Sequence, residues 1–198
     1  MYVDDARVVG LRRALEARPA AASERVANTL EAAVALLVRP REQLELLLIK
    51  RAIHDRDPWS GHVALPGGRR DHNDADLIET AMRETDEEVG IMLPKVGVLV
   101  GTLDEVVPGT TRLPPILIAP FVFAVPTTTA ATINEREVDA AIWVPLAALR
   151  DQRAASEILI ELEGGARTFP SLIFGEYVIW GLTHRILTQV LDITVGLT

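Results

Sequence analysis

The sequence predicts a mixed α/β fold, and three observations lead there. Segments with helical spacing stand at both ends, short apolar runs of strand type lie between them, and one acidic segment carries an amphipathic pattern that stops at a glycine. At the start, "VDDARVVGLRRALEARP" places Val8, Leu11 and Leu15 on one face and halts before Pro19, which predicts a helix over about 4–18. "AAVALLVRP" and "LELLLIKRA", split by the polar "REQ", suit a pair of core strands, and "HVALP" is a third strand candidate. After the acidic segment come "VGVLVGTLDEV" and "ILIAPFVFAV", both rich in β-formers, then "VDAAIWVPLAALRD", a strand running into a short helix at Pro145. "EILIELEGGARTFPSLIF" reads as a hairpin turning at Gly164 and Gly165. The last segment spaces Val178, Leu182, Ile186 and Val190 as a helix over about 176–191.

Composition narrows the function. At 198 residues with 48% apolar content and no repeat or long linker, the expectation is a single domain over 1–198. A net charge of −8 argues against general nucleic-acid binding and favours cations. The absence of cysteine excludes disulfides, thiolate metal sites and cysteine nucleophiles. "MYVDDARVV" lacks the basic-then-apolar pattern of a secretion signal, and the apolar runs are too short to cross a bilayer, so the expectation is a cytoplasmic protein without membrane contact.

The acidic segment "RETDEEVGI" poses a physical problem, because Glu84, Asp86, Glu87 and Glu88 crowd the C-terminal end of a helix. That end already carries partial negative charge, and like charges at i, i+4 repel. Asn73 or Asp74 is the expected N-cap. Ile78, Ala81, Met82, Thr85 and Val89 then share the buried face, and Glu84, Glu87 and Glu88 flank it. Three carboxylates converging on a small volume repel one another, but a hard divalent ion converts that repulsion into coordination.

Upstream lies "LPGGRRDHND", a turn whose glycines allow close backbone approach. Gly67, Gly68, Arg83, Glu84, Glu87, Glu88 and Gly90, in this order over about 67–91, resemble the signature box of the Nudix hydrolases. The resemblance implies an αβα sandwich with a mixed β-sheet and a loop-helix-loop metal site that hydrolyses a diphosphate with Mg²⁺ or Mn²⁺. By position, Glu84, Glu87 and Glu88 match the metal-ligating acids, the Gly67 carbonyl a backbone ligand, and Arg83 the residue that orients the glutamates. Glu84 and Glu87 are candidates for the base that takes the proton of the attacking water. Glu137 is another, standing before "WVPL" where related enzymes often carry a glutamate; Glu135 lies beside it. The spacing departs from the general box by one residue, so the usual first glutamate falls at Ala75, with Asp74 and Asp76 on either side; Thr85 stands where the box prefers an aliphatic residue.

The longer spacing, with Asp71 and Asp74 after the glycines, looks like the coenzyme A pyrophosphatase subgroup. Leu47, Leu48, Arg51, Ala52, Arg56 and Gly61 match that subgroup's upstream pattern, with one extra residue between Arg56 and Gly61, Ile49 in place of a threonine and Leu65 in place of a phenylalanine. The implied reaction cuts coenzyme A or a thioester into 3′,5′-ADP and 4′-phosphopantetheine or its acyl form. ADP-ribose, NADH, dinucleotide polyphosphates and oxidised nucleotides are the rival substrates, and a non-catalytic nucleotide-binding module is the rival class. A diphosphate needs cations, and Arg51, Arg56, Arg69 and Arg70 are the nearest. His54 and His62 read as loop or core histidines, Trp59 as a loop anchor, and Trp143 and Trp180 as core residues. The partner expected is a small nucleotide-type molecule, with homodimerisation left open.

Overall fold

A computed structural model describes residues 1–54, 60–108, 115–162 and 165–196, with the side chain of Leu162 left out. Helix α1 (Ala6–Glu16) starts at Asp5, whose side chain accepts from the Arg7 amide. Strands β1 (Leu30–Pro40), β2 (Leu44–Arg51), β3 (Val63–Ala64) and β4 (Gly67–Arg69) precede the acidic helix α2 (Leu77–Val89). A single turn α3 (Leu93–Val96) leads to β5 (Val98–Thr102), β6 (Ile116–Ala124), β7 (Val138–Pro145) and α4 (Leu146–Arg150). The chain continues through β8 (Ala155–Leu162), β9 (Gly165–Phe174) and β10 (Tyr177–Trp180) and closes with α5 (Gly181–Ile193).

The larger sheet runs β3-β2-β1-β6-β5, with β7 on β2 and β4 on β1. It is mixed, since β1 and β6 are parallel and the other pairings are antiparallel. Period-2 alternation along β1 divides the interior in two: Leu36 and Val38 pack with α1, α4 and α5, whereas Ala33, Ala35 and Leu37 pack under α2 and α3. The result is a sheet between helical layers, the αβα sandwich expected. Strand β1 pairs with β2 only over Val38–Pro40, and over Ala32–Val34 it pairs with β4 instead. The sheet is thus split beside Gly67 and Gly68, and α2 lies over the split. A second sheet, β10-β9-β8, is built from the C-terminal hairpin and its return strand. No helix among the described residues is long and apolar enough to cross a membrane.

Two expected boundaries are corrected. The C-terminal helix does not begin near 176: Tyr177–Trp180 form β10, paired with Ser171–Phe174, and the chain turns at Gly181 with φ +64° before α5. Val178 fits helical spacing by coincidence, because a strand that alternates just before a helix satisfies both periods for a few residues. The N-cap of α2 is neither Asn73 nor Asp74 but Asp76, which accepts from the Glu79 amide at 2.8 Å while the Glu79 carboxylate accepts from the Ala75 amide at 2.7 Å. Of the expected hairpin turn, Gly164 lies outside the described residues.

Candidate active site

The acidic end of α2 is made tolerable by its surroundings. Gly90 ends the helix in the left-handed region, φ +65°, with its N–H bonded to Asp86 O. The Thr132 and Asn134 amides then donate to the Val89 and Glu88 carbonyls at 2.8 and 2.9 Å, so two carbonyls that would add to the negative end are satisfied by a passing loop. Of the expected buried face, Ala81, Thr85 and Val89 are inside and Ile78 and Met82 are partly buried against the same core, while Glu88, expected on the flank, is buried as well; the Thr85 hydroxyl bonds back to Ala81 O at 2.7 Å.

The three glutamates do not form one solvated cluster. Glu87 is half exposed at 50%, Glu84 is 15% exposed, and Glu88 is turned inward at 3%. Glu88 Oε2 accepts from the Gly67 amide at 2.9 Å, and its Oε1 lies 3.8 Å from the Arg51 guanidinium. The Gly67 N–H is thus engaged by Glu88. Burial pushes the Glu88 carboxyl up to about 8, against the pull of that amide and Arg51, and the charges of Glu84 and Glu137 raise it further. Glu84 is raised by the same cause, burial first, with Arg83 opposing.

The glycines explain how Glu84 fits. A Cβ on Gly68 would lie 2.4–2.6 Å from the Glu84 carboxylate atoms, and one on Gly67, whose φ is +153°, would lie 2.2 Å from Ala33 O. The carboxylate therefore rests directly on the β4 backbone. Gly68→Ala should displace Glu84 and lower turnover on the order of 10²-fold, as angstrom-scale misplacement does, with the melting temperature little changed. Steady-state rates beside a melting curve check this, and an unchanged rate would show that Glu84 need not sit there.

Arg83 ties the site together. Its Nη1 donates to Glu84 at 2.7 Å and to Glu87 at 3.0 Å, its Nη2 to Arg69 O at 3.0 Å, and Nε and Nη2 grip Asp74 at 3.0 Å each. Asp74 is buried, also accepts from Thr80 Oγ1 and the Asp71 amide at 2.9 Å, and is held far below the usual carboxylate range, chiefly by Arg83. The two aspartates beside Ala75 are thus both engaged, Asp74 in anchoring Arg83 and Asp76 in capping α2. Sequence reasoning left the Asp74–Arg83 pair unassigned; the only local signal was a carboxylate nine residues before an arginine, with a helix start between them.

The basic residues divide. Arg51 reaches Glu88, and Arg69 has an exposed side chain next to the glycine strand. Arg70 is committed elsewhere: Nη1 pairs with Glu31 at 2.9 Å while Nε and Nη2 hold the Asp74 and Ala75 carbonyls, pinning the loop before α2 to β1. Arg56 and Trp59 lie outside the described residues. Glu137 has an exposed side chain bonded to Asn134 Nδ2 at 2.9 Å, and its charge acts on both Glu84 and Glu88; Glu135 is exposed. His54 is a loop histidine bonded through Nε2 to Arg136 O at 2.6 Å. Trp143 and Trp180 are only partly buried, the first under the Arg39 guanidinium at 3.9 Å and the second against His62.

Among the described residues, no three acidic or histidine side chains are disposed as arranged here to ligate one ion. The donor set nevertheless suits a hard divalent cation. Glu84, Glu87, Glu88 and Glu137 are oxygen donors; among the described residues Arg83 pairs with Glu84 and Glu87 and Arg51 reaches Glu88, and burial raises Glu84 and Glu88 toward neutrality, a state that a bound cation would reverse.

The NUDIX domain family model matches residues 29–162. An uncharacterized protein of Schizosaccharomyces pombe is 42% identical over 132 residues, covering 65% of this chain and 40% of its own length, so the chain spans well under half of that relative. The protein described as uncharacterized Nudix hydrolase NudL of Salmonella paratyphi B is 33% identical over 162 residues, 82% of this chain and 81% of the relative. Among solved structures, a MutT/nudix family protein from Enterococcus faecalis matches with a TM-score of 0.59 at 16% identity, covering 98% of this chain and 72% of that one. A C. elegans Ap4A hydrolase complex matches at 0.51 and 19% identity, covering 60% and 82%; both likenesses concern the fold. The chain belongs to the Nudix family and is a hydrolase of pyrophosphate bonds.

Proposed function

We propose that the chain hydrolyses the diphosphate of coenzyme A or its thioesters with Mg²⁺ or Mn²⁺, releasing 3′,5′-ADP and 4′-phosphopantetheine or its acyl form. The observation that carries the hydrolytic site is Glu88 on the Gly67 amide and Glu84 against Gly68, with Arg83 bridging Glu84 and Glu87 and the charge of Glu137 acting on Glu84 and Glu88. Glu84, Glu87 and Glu88 would hold the divalent ion, with Gly67 beside them. The ion supplies a Lewis acid and a bound water of lowered pKa. Water oxygen bonds to one phosphorus, the bridging oxygen leaves with the other phosphoryl group, and the water's proton passes to a carboxylate. Glu137 suits that last role because it is exposed and has no arginine partner among the described residues, whereas Arg83 occupies Glu84 and Glu87. Arg69 is placed to meet a phosphate entering over the glycine strand.

The coenzyme A assignment is supported by the upstream pattern through Leu47, Leu48, Arg51, Ala52 and Gly61 and by Asp71 and Asp74 after the glycines. The test offers coenzyme A, its dephospho form, ADP-ribose, NADH, a diadenosine polyphosphate and oxidised dGTP in turn, with Mg²⁺ or Mn²⁺, and identifies products by mass. Coenzyme A should lead its dephospho form by tenfold or more, since only the former carries the 3′-phosphate. A preference for ADP-ribose, a dinucleotide or a triphosphate would move the substrate while leaving the hydrolytic site, and no turnover of any would favour a binding module.

A further inference from the structure

The small sheet carries a face that the hydrolytic site does not use. Cross-strand partners in an antiparallel sheet share a face, so Trp180 stands beside Ser171, Phe169 beside Ile158, and Arg167 beside Ile160. The opposite face holds Leu172 and Ile179, buried in the core under α5. Trp180, Phe169, Ile158 and Ile160 therefore look away from that core, and all four are only half-buried. The Trp180 ring lies 5.8 Å from Phe169 and, edge-on, 5.0 Å from His62.

His62 joins this strip to the site. Its carbonyl accepts from the Arg51 amide at 3.0 Å, and Arg51 reaches Glu88 at 3.8 Å. Ile49, two residues before Arg51, packs in the core under α2, so alternation places Arg51 and its strand neighbour His62 on the α2 side. The row His62, Trp180, Phe169, Ile158 leaves the carboxylates on their own side of the molecule and continues to Ile160, about 7 Å farther along the strand. At its floor Ser171 is buried, and its Oγ has no hydrogen-bond partner among the described residues. At its far end stands the exposed Arg167.

We propose that this strip holds an extended, largely apolar arm borne by one phosphate of the substrate, of the acyl-pantetheine type, and that it selects substrates by the length of that arm. The proposal rests on the diphosphatase reading above. A planar base would be covered by Trp180 and one neighbouring ring, whereas the strip goes on over successive aliphatic side chains, as a flexible chain requires. The exposed Arg167 ends the apolar run.

The test compares coenzyme A with its acetyl, octanoyl and dodecanoyl thioesters on the full chain with Mn²⁺, in wild type and in Ile158→Asp, Ile160→Asp and the milder Ile160→Thr. In wild type, kcat/KM should rise tenfold or more from coenzyme A to the dodecanoyl thioester, mainly through KM. In the aspartate variants that ratio should fall at least tenfold, with Ile160→Thr between. A ratio independent of chain length, or unmoved by the substitutions, overturns the proposal. Calorimetric binding of the dodecanoyl thioester to metal-free protein separates this from the substrate reading. If coenzyme A compounds are not cleaved but the variants still bind the thioester tenfold more weakly, the strip assignment stands and the reaction is reassigned. Equal affinities overturn the strip. A wild-type dimer that the aspartates dissociate in light scattering would give the strip to a second copy of the chain, and also overturns it.

Discussion

Glu88→Gln should lower turnover on the order of 10²-fold or more at saturating Mg²⁺ or Mn²⁺ while the chain stays folded. The amide keeps the shape of the side chain and an oxygen for the Gly67 N–H, so the β4 contact survives and only the charge is lost. Glu87→Gln should act the same way for a different reason, since Glu87 is half exposed and its loss leaves Arg83 still held by Asp74 and Glu84. Stopped-time product assays over a metal titration check both. Near-normal rates in either variant would remove that residue from the proposed metal site.

Stripped of divalent ions, the protein should become less stable as pH rises from about 5 to 8. Burial holds the Glu88 carboxyl at about 8, against 4.5 for an ordinary glutamate, so over this window the folded chain keeps a proton that the unfolded chain has released. The favourable contribution is complete below the unfolded value and is lost as pH climbs through the folded one. At ~1.4 kcal/mol per unit, the effect is on the order of a few kcal/mol, or several degrees in melting temperature. Glu84 is raised by burial too and adds to the same slope. Asp74 works oppositely but only in acid, because Arg83 holds it well below the window. Glu88→Gln should flatten the profile and leave the metal-free protein more stable than wild type at pH 8, a gain in stability accompanying a loss of turnover. Melting curves in chelator at four pH values decide it, and a flat wild-type profile, or a variant less stable than wild type at pH 8, would contradict the account.

What the sequence made readable was local. The helical face of α2, the β1 and β2 runs and the glycines before α2 follow from periodicity and turn chemistry, as does the acidic end that demands a cation or its equivalent. What it left unreadable depends on pairing at a distance. Parallel pairing of β1 with β6, and the exchange of β2 for β4 along β1, are set by how the chain returns to the sheet. Arg70 and Arg69 are adjacent and alike in sequence, yet one is spent on Glu31, thirty-nine residues away, and the other is not. Asn73, Asp74 and Asp76 all suit an N-cap; the choice fell to Asp76 because Asp74 is drawn under Arg83 and Thr80. Trp180 was expected inside because tryptophans usually are, but its strand places it on the open side of the small sheet.

The amides of Thr132 and Asn134 on the last carbonyls of α2 have a consequence for how this chain tolerates insertion and deletion. Asn134 donates through its backbone to Glu88 O and through its side chain to Glu137, so one residue fixes the distance between acids that lie far apart along the chain. Extra residues in the connection after β6 and before Thr132 can bulge outward without disturbing that clasp. A single residue added between Asn134 and Glu137 would break the Val138 and Glu137 amide bonds to Asn134 O and slide Glu137 off its perch. Inserted residues should therefore be borne before Thr132 and not between Asn134 and Glu137, a boundary drawn largely by hydrogen bonds to main-chain atoms.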